Sequence, residues 1–171
     1  MARKKKADNK SEVRFSDVLS NTLGGRVREI TDEKLKKQGI GIKWEYDENK
    51  RAINIFVKCL KTDEEDDGPD VVWLEFQTHK GDRGWMNGDA DYIVFENPFD
   101  WLIVNRKKLK QAVEEAIYDK TTTRDRATWF RFYQRPGGQS KAVKVPTSFV
   151  RKNADRIIIK REFLNHMKEN N

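Results

Sequence analysis

The sequence has very little of what metal-binding and disulfide-bonded proteins depend on. Its 171 residues include one cysteine, Cys59, and two histidines, His79 and His166. A single thiol cannot form an internal disulfide, so a reducing compartment, the cytoplasm, is the expected location. Three such side chains are also too few for a structural zinc site of the usual Cys/His kind.

Long apolar runs are missing as well. No stretch approaches the roughly 18 apolar residues that a membrane span requires. The basic residues 1–6 are not followed by the apolar segment of a secretory signal. Hydrophobic residues make up 36% of the chain and charged residues 37%. We therefore expect one domain with a modest core, a highly charged surface and no membrane partner.

Charge is what the sequence has in excess, and its two signs are segregated. Residues 1–40 carry 11 basic and 6 acidic groups, residues 41–100 carry 7 and 15, and residues 101–171 carry 17 and 7. Basic ends suit phosphate binding, and an acidic middle could serve a metal or a partner. Many of the acids lie within residues 63–70, where consecutive carboxylates repel one another, so a solvated loop is the competing interpretation there.

Alternating apolar residues and turn signals predict an α/β fold, borderline α+β, with a mixed central sheet flanked by helices. Helices are expected from Ser16 to the glycines at 24–25, over residues 32–38 and 107–118, and as a turn after Pro146. The polar residues 119–126 are expected to form a connection. Strands are expected over residues 40–46, 51–60, 71–78, 91–96, 101–105, 128–134, 142–145 and 156–160.

Lys58 and Glu75 each lie in the middle of an otherwise apolar predicted strand. A charge held in a sheet is costly unless it is paired or used. Both side chains could lie on exposed faces or form a salt bridge, or they could act on a phosphate together with a metal ion. Gln77 shares a face with Glu75 and could orient a water molecule or a phosphate.

Three segments resemble small phage-encoded proteins of the PD-(D/E)xK restriction-endonuclease-like superfamily: residues 72–77 (VWLEFQ), 84–96 (GWMNGDADYIVFE) and 101–109 (WLIVNRKKL). Residues 14–19 and 133–135 are also similar to that group. Residues 1–12 are polar, lysine-rich and without periodicity, which predicts a disordered basic arm. A nuclease-like domain is expected over residues 13–162, followed by a C-terminal tail (163–171).

The resemblance implies a magnesium-dependent endonuclease acting on DNA, but the chain departs from the family's site. The family's first acid closes a Gly-Ile-Asp-like triplet, where this chain has Gly41, and its second acid precedes the lysine by two residues, where this chain has Phe56. We therefore expect weak Mg²⁺ binding and weakened or lost hydrolysis. The resemblance assigns Lys58, Glu75 and Gln77 to catalysis and Glu75 to the metal. A displaced carboxylate such as Glu45 is the candidate for the second metal ligand.

A basic series interleaved with aromatic residues lies in the last third of the chain. Alternation places Trp129, Arg131 and Tyr133 on one face, where rings could stack on bases and guanidinium groups could contact phosphates. A solvated positive surface is the competing interpretation. The expected nucleic-acid-binding residues are Arg126, Trp129, Arg131, Arg135, Lys141, Lys144 and, from a glycine-rich loop, Trp85.

Two hypotheses for function stay open. The leading one is a DNA-binding protein of nuclease fold, with or without residual endonuclease activity. The alternative is a non-catalytic protein that uses the fold as a scaffold to bind a host or phage protein, because a fold alone does not determine function. A homodimer is compatible with either hypothesis.

Overall fold

A computed structural model describes residues 14–37, 39–45, 52–59 and 70–160. The expected basic arm (1–12) and tail (163–171) lie outside the described residues, as does most of the acidic run 63–70. In the described ranges, no helix is both long and apolar enough to cross a membrane.

The first sheet has six strands in the order β1-β2-β3-β5-β6-β10. Strands β3 and β5 are parallel, and every other neighbouring pair is antiparallel. The strands are β1 (Arg26–Glu29), β2 (Ile42–Glu45), β3 (Ala52–Cys59), β5 (Tyr92–Glu96), β6 (Asp100–Asn105) and β10 (Arg156–Ile159).

The second sheet has four strands in the order β4-β9-β8-β7. Strands β7 and β8 are parallel, while β9 is antiparallel to both β4 and β8. The strands are β4 (Val71–Gln77), β7 (Asp119–Thr123), β8 (Arg131–Tyr133) and β9 (Lys141–Pro146).

Helices join and cover the two sheets. Helix α1 covers residues 14–22, α2 is Glu33–Lys37, α3 is Arg106–Ala116 and α4 is Thr147–Lys152. Helix α3 begins where the Asn105 side chain accepts a hydrogen bond from the Lys108 backbone N–H at 3.1 Å. The buried residues of α3 and its end follow the i, i+4 spacing of a helix that covers a core: Leu109, Val113 and Ile117.

The main core lies between the two sheets. Alternation along β4 directs Val72, Leu74 and Phe76 toward β5 and β6, which contribute Phe95 and Leu102. Helices α3 and α4 close this layer through Val113 and Val150, among others. A second core lies on the opposite face of the six-stranded sheet, beneath α1. It contains Phe15, Leu19, Ile42, Ile55, Val57, Val94 and Trp101.

The mixed α/β class is confirmed, and the division into two mixed sheets is compatible with an α+β description. The expectation of one central sheet missed that β4, β9, β8 and β7 form a second sheet. Alternation reveals which residues of a strand share a face but not which sheet that face belongs to. Strands β1 and β7 were also missed, because the short polar sequences RVRE and DKTTT show no apolar alternation.

Candidate nucleic-acid interface

The four-stranded sheet has an outer face, defined here as the side opposite the buried Val72, Leu74 and Phe76. Alternation along β4 puts Trp73, Glu75 and Gln77 on this side. Lys144 is the cross-strand partner of Trp73, and directly opposed residues share a face. The outer face therefore gathers aromatic and charged side chains.

Five side chains on this side of the sheet contact one another, and we call this cluster the aromatic-basic ladder: Trp129, Lys144, Trp73, Tyr133 and Arg126. The Lys144 ammonium lies 4.7 Å from the centre of the Trp129 ring and 5.9 Å from that of Trp73. The Arg126 guanidinium lies 5.7 Å from the Trp73 ring centre. The Tyr133 ring centre is 5.3 Å from that of Trp73, with the ring planes tilted by 56°. Cation–π attraction thus links the β7–β8 loop to β4 and β9.

Lys144 is 7% exposed, whereas Trp129 is 39% exposed. The lysine is therefore wedged between two indole rings, and the outermost ring of the ladder faces solvent. Because the apolar stem and the ammonium are both covered, Lys144 acts as an internal support for the rings. Of these two residues, Trp129 is therefore the one that a ligand can contact from solvent.

The loop of residues 124–130 carries Arg126 and Trp129 across the edge of the sheet. Asp125 shapes its start, since its carboxylate accepts hydrogen bonds from the Ala127 N–H at 2.9 Å and from the Thr128 hydroxyl at 3.1 Å. At its end, Phe130 has a left-handed φ of 48°, which costs a non-glycine residue free energy.

The unusual conformation of Phe130 separates two consecutive aromatic residues. The Phe130 N–H donates to the Lys144 carbonyl at 3.0 Å, and its ring packs on Phe149 at 5.1 Å. Trp129 consequently remains on the outer side while Phe130 packs against the main core. Backbone strain of this kind often occurs at functional sites, where it fixes a side chain in position.

Arg131 also lies on the outer side, but its charge is paired. Its guanidinium lies 2.8 Å from the Asp119 carboxylate and donates to the Thr121 hydroxyl at 2.6 Å. Hydrogen bonds from the backbone and side chain of Thr121, with the nearby charge of Arg131, lower the pKa of Asp119 below its ordinary value against a smaller opposing effect of burial. Arg131 thus connects β8 to β7, and the Asp119 carboxylate offsets its charge.

Two further expected residues lie at the other end of the same sheet. Lys141 begins β9 opposite Gln77, and Arg135 precedes the turn into β9; both side chains are exposed. Lys141 lies three positions before Lys144, which corresponds to about 10 Å along the strand. The Gln77 amide donates to the Gly81 carbonyl at 2.9 Å and so holds its own loop.

The residues expected to form a catalytic site do not come together. Lys58 lies on β3 in the six-stranded sheet, on the face that carries Phe56, whereas Glu75 is on the outer face of the four-stranded sheet. Glu45 pairs with Ala52, at the opposite end of β3 from Lys58 and about 20 Å away along the strand. Glu45 also lies 3.9 Å from the Arg28 guanidinium.

Magnesium needs several oxygen ligands around one point, and this geometry does not supply them. Glu75 lies on the outer face of the four-stranded sheet, whereas Glu45 lies on the six-stranded sheet near Arg28, so the fold does not direct the two carboxylates toward one point. Within residues 14–37, 39–45, 52–59 and 70–160, no group of three or more His, Cys, Asp or Glu side chains could hold a metal ion. The donor set that the family resemblance assigns therefore does not fit magnesium.

Trp85 packs against the main core and is not part of the aromatic-basic ladder. Its ring centre is 5.5 Å from that of Phe56 and 6.1 Å from that of Phe95, so it packs against the main core. Trp73, by contrast, was absent from the expected binding residues. Strand alternation does place Trp73 on the face of β4 opposite to the buried Val72, which was the sequence signal for an outward position. Its partners Arg126 and Lys144, however, are more than fifty residues away in sequence.

The chemistry of the outer face is that of a stacking surface bordered by cations. An exposed indole can stack on a planar group, and lysine and arginine side chains can contact phosphates. Comparisons of the chain with protein-family models, with curated proteins and with solved structures find no match.

Proposed function

We propose that the protein binds DNA through the outer face of its four-stranded sheet. The observation that carries the proposal is the aromatic-basic ladder, in which the half-exposed Trp129 is supported by Lys144 and Trp73. A stacking ring beside cations is the combination that nucleic-acid-binding sheets use.

The charge around the ladder supports the same function. Residues 119–144 contain seven lysines and arginines but two acidic residues, Asp119 and Asp125. Asp119 is paired with Arg131, and Asp125 is engaged with its own loop. The exposed cations of this segment are Lys120, Arg124, Arg126, Arg135 and Lys141. Such a surface attracts the phosphate backbone whatever its sequence.

A restriction-endonuclease-like core remains part of the proposal, on the strength of the family resemblance and the mixed α/β architecture. We infer that hydrolysis is weakened or lost. The separation of Lys58, Glu75 and Glu45 supports this inference, because a phosphodiesterase needs its metal ligands and its lysine at one point. In this proposal the protein recognises phage or host DNA and does not cut it efficiently.

The test is a fluorescence titration of labelled DNA at several salt concentrations. We expect micromolar or tighter affinity at low salt, falling steeply as salt rises, because each neutralised phosphate releases about 0.9 of a counterion. Arg126→Ala combined with Lys141→Ala should reduce the slope of log affinity against log salt by up to about two.

A charge-matched control removes two exposed lysines from helices instead, Lys107→Ala with Lys152→Ala. The control should retain most of the affinity and most of the slope. Absence of DNA binding at about 50 mM salt would contradict the proposal, as would an equal loss in both double variants.

A protein-interaction function has one specific observation in its favour. Strand β10 is the last strand of the six-stranded sheet, and its Ile157 and Ile159 are 42% and 48% exposed. Phe99, whose carbonyl accepts from the Lys160 N–H, is 56% exposed. An exposed apolar edge suits a protein partner or a second copy of the chain. Concentration-dependent self-association in light scattering, without DNA binding, would favour this alternative.

A further inference from the structure

We propose that the outer face takes single-stranded DNA, with one unpaired base stacked on Trp129; this rests on the proposed function and specifies its substrate. The starting observation is that one side of the Trp129 ring is supported by the Lys144 ammonium at 4.7 Å while 39% of the residue is exposed. A planar group can approach the remaining surface of the ring.

The exposed indole is held in place before any ligand arrives. The next residue, Phe130, is anchored by its backbone bond to β9 and by its ring against Phe149. Asp125 fixes the start of the same loop through two hydrogen bonds. Because the ring is positioned in advance, binding a base costs little side-chain entropy.

The shape of the face disfavours a duplex. In double-stranded DNA each internal base is stacked between its neighbours, so a ring on a protein surface stacks on an unpaired base without the cost of unstacking the duplex. Duplex bases are reached by a helix or a two-stranded ribbon in a major groove about 12 Å wide. Four strands at about 4.8 Å spacing form a surface wider than that groove.

The ladder offers one stacking position rather than several. Trp73 is covered by Arg126, Lys144 and the tilted Tyr133 ring, so it supports its neighbours instead of presenting a face. Arg126, which belongs to the ladder and is exposed, can contact a flanking phosphate. The expected ligand is thus a short single-stranded stretch with one base on Trp129.

The test compares a labelled thymidine oligonucleotide with a blunt-ended duplex of equal phosphate number and no unpaired bases, by fluorescence anisotropy at low salt. The wild-type protein should bind the single strand more tightly. Trp129→Ala should weaken single-strand binding about 5- to 150-fold, the range measured for loss of one base–aromatic stack. Duplex affinity should change little, and Trp129→Phe should retain most of the single-strand affinity.

The control is Phe99→Ala, which removes an exposed aromatic ring from the β5–β6 hairpin. It should leave single-strand affinity unchanged, and thermal melting should show each variant folded. Equal binding of duplex and single strand, or single-strand affinity insensitive to Trp129→Ala, would overturn the stacking proposal and leave charge-driven DNA binding standing. Failure of both probes to bind would overturn the proposed function as well.

Discussion

At the scale of single residues, the outer face is shaped by one buried cation. Lys144 is placed by its strand opposite Trp73, and its ammonium lies over the ring of Trp129 on a different element. A buried lysine is expensive unless its charge is engaged, and here two aromatic faces surround it. Glu75 is the one acidic residue that β4 contributes to this face. Its negative charge opposes phosphate binding there, so we chose it for the first prediction.

The first residue-scale prediction concerns Glu75→Gln. Removing a negative charge from the outer face should strengthen DNA binding about twofold at low salt, because two unit charges roughly 8 Å apart in water interact by about 0.5 kcal/mol. Glu45→Gln, on the other sheet, is the matched control and should change affinity less. The measurement is the same fluorescence titration, with and without Mg²⁺.

The opposite result at Glu75 would support a metal site. If Glu75→Gln weakens DNA binding and abolishes a stimulation by Mg²⁺, the carboxylate holds an ion that bridges to phosphate. Rapid cleavage of plasmid DNA by the wild-type protein, lost in Glu75→Gln, would support the hypothesis of an active endonuclease.

At the scale of elements, α3 is attached to the sheet through a carboxylate from the turn between α4 and β10. Asp155 accepts from the Asn105 N–H at 2.7 Å and from the Lys108 ammonium at 2.8 Å. Burial pushes the pKa of Asp155 upward, but these hydrogen bonds and the lysine charge outweigh it and hold the pKa below its ordinary 3.8. The hydrogen bond to Asp155 and its negative charge raise the pKa of Lys108 above its ordinary 10.5.

The element-scale prediction follows from these directions. Asp155→Ala should lower the melting temperature by about 3–6 °C near neutral pH, because hydrogen bonds to a charged group at the start of α3 are lost. A depressed carboxyl pKa stabilises the fold at pH above the unfolded value, and this contribution disappears as pH falls through the folded value. The difference between wild type and variant should therefore shrink below about pH 3.8.

Melting curves over a pH series measure this difference directly. Lys107→Ala, one residue from Lys108 and exposed on the same helix, serves as the control and should show no such pH dependence. A difference that stays constant down to the acid transition would mean that the Asp155 charge does not stabilise the junction.

At the scale of the whole molecule, the sequence predicted most helices and strands, and three of the five ladder residues were among the expected binding residues: Arg126, Trp129 and Lys144. The strands over residues 71–77 and 101–105 were predictable because apolar alternation and turn residues coincide there. The shared face of Trp129, Arg131 and Tyr133 was expected for the same reason, although Arg131 proves to be paired with Asp119.

The sequence did not reveal which strands belong to the six-stranded sheet and which to the four-stranded sheet. Lys58 and Glu75 each suggested a site, yet they lie on different sheets. Trp73 was absent from the expected binding residues, because its neighbours come from β9 and a loop more than fifty residues away. Trp85 suggested an outward contact because its loop is glycine-rich, whereas its ring packs on Phe56. Such pairings arise from tertiary packing, which local pattern does not encode.

The central claim, that DNA binds the outer face, is tested most directly by mapping amide and indole signals in NMR spectra during titration with a thymidine oligonucleotide. The account predicts that the Trp129 indole N–H, residues 124–130 and strand β9 shift together, while α1 and the core beneath it do not. Shifts confined to β10 and Phe99, or to the face beneath α1, would contradict it.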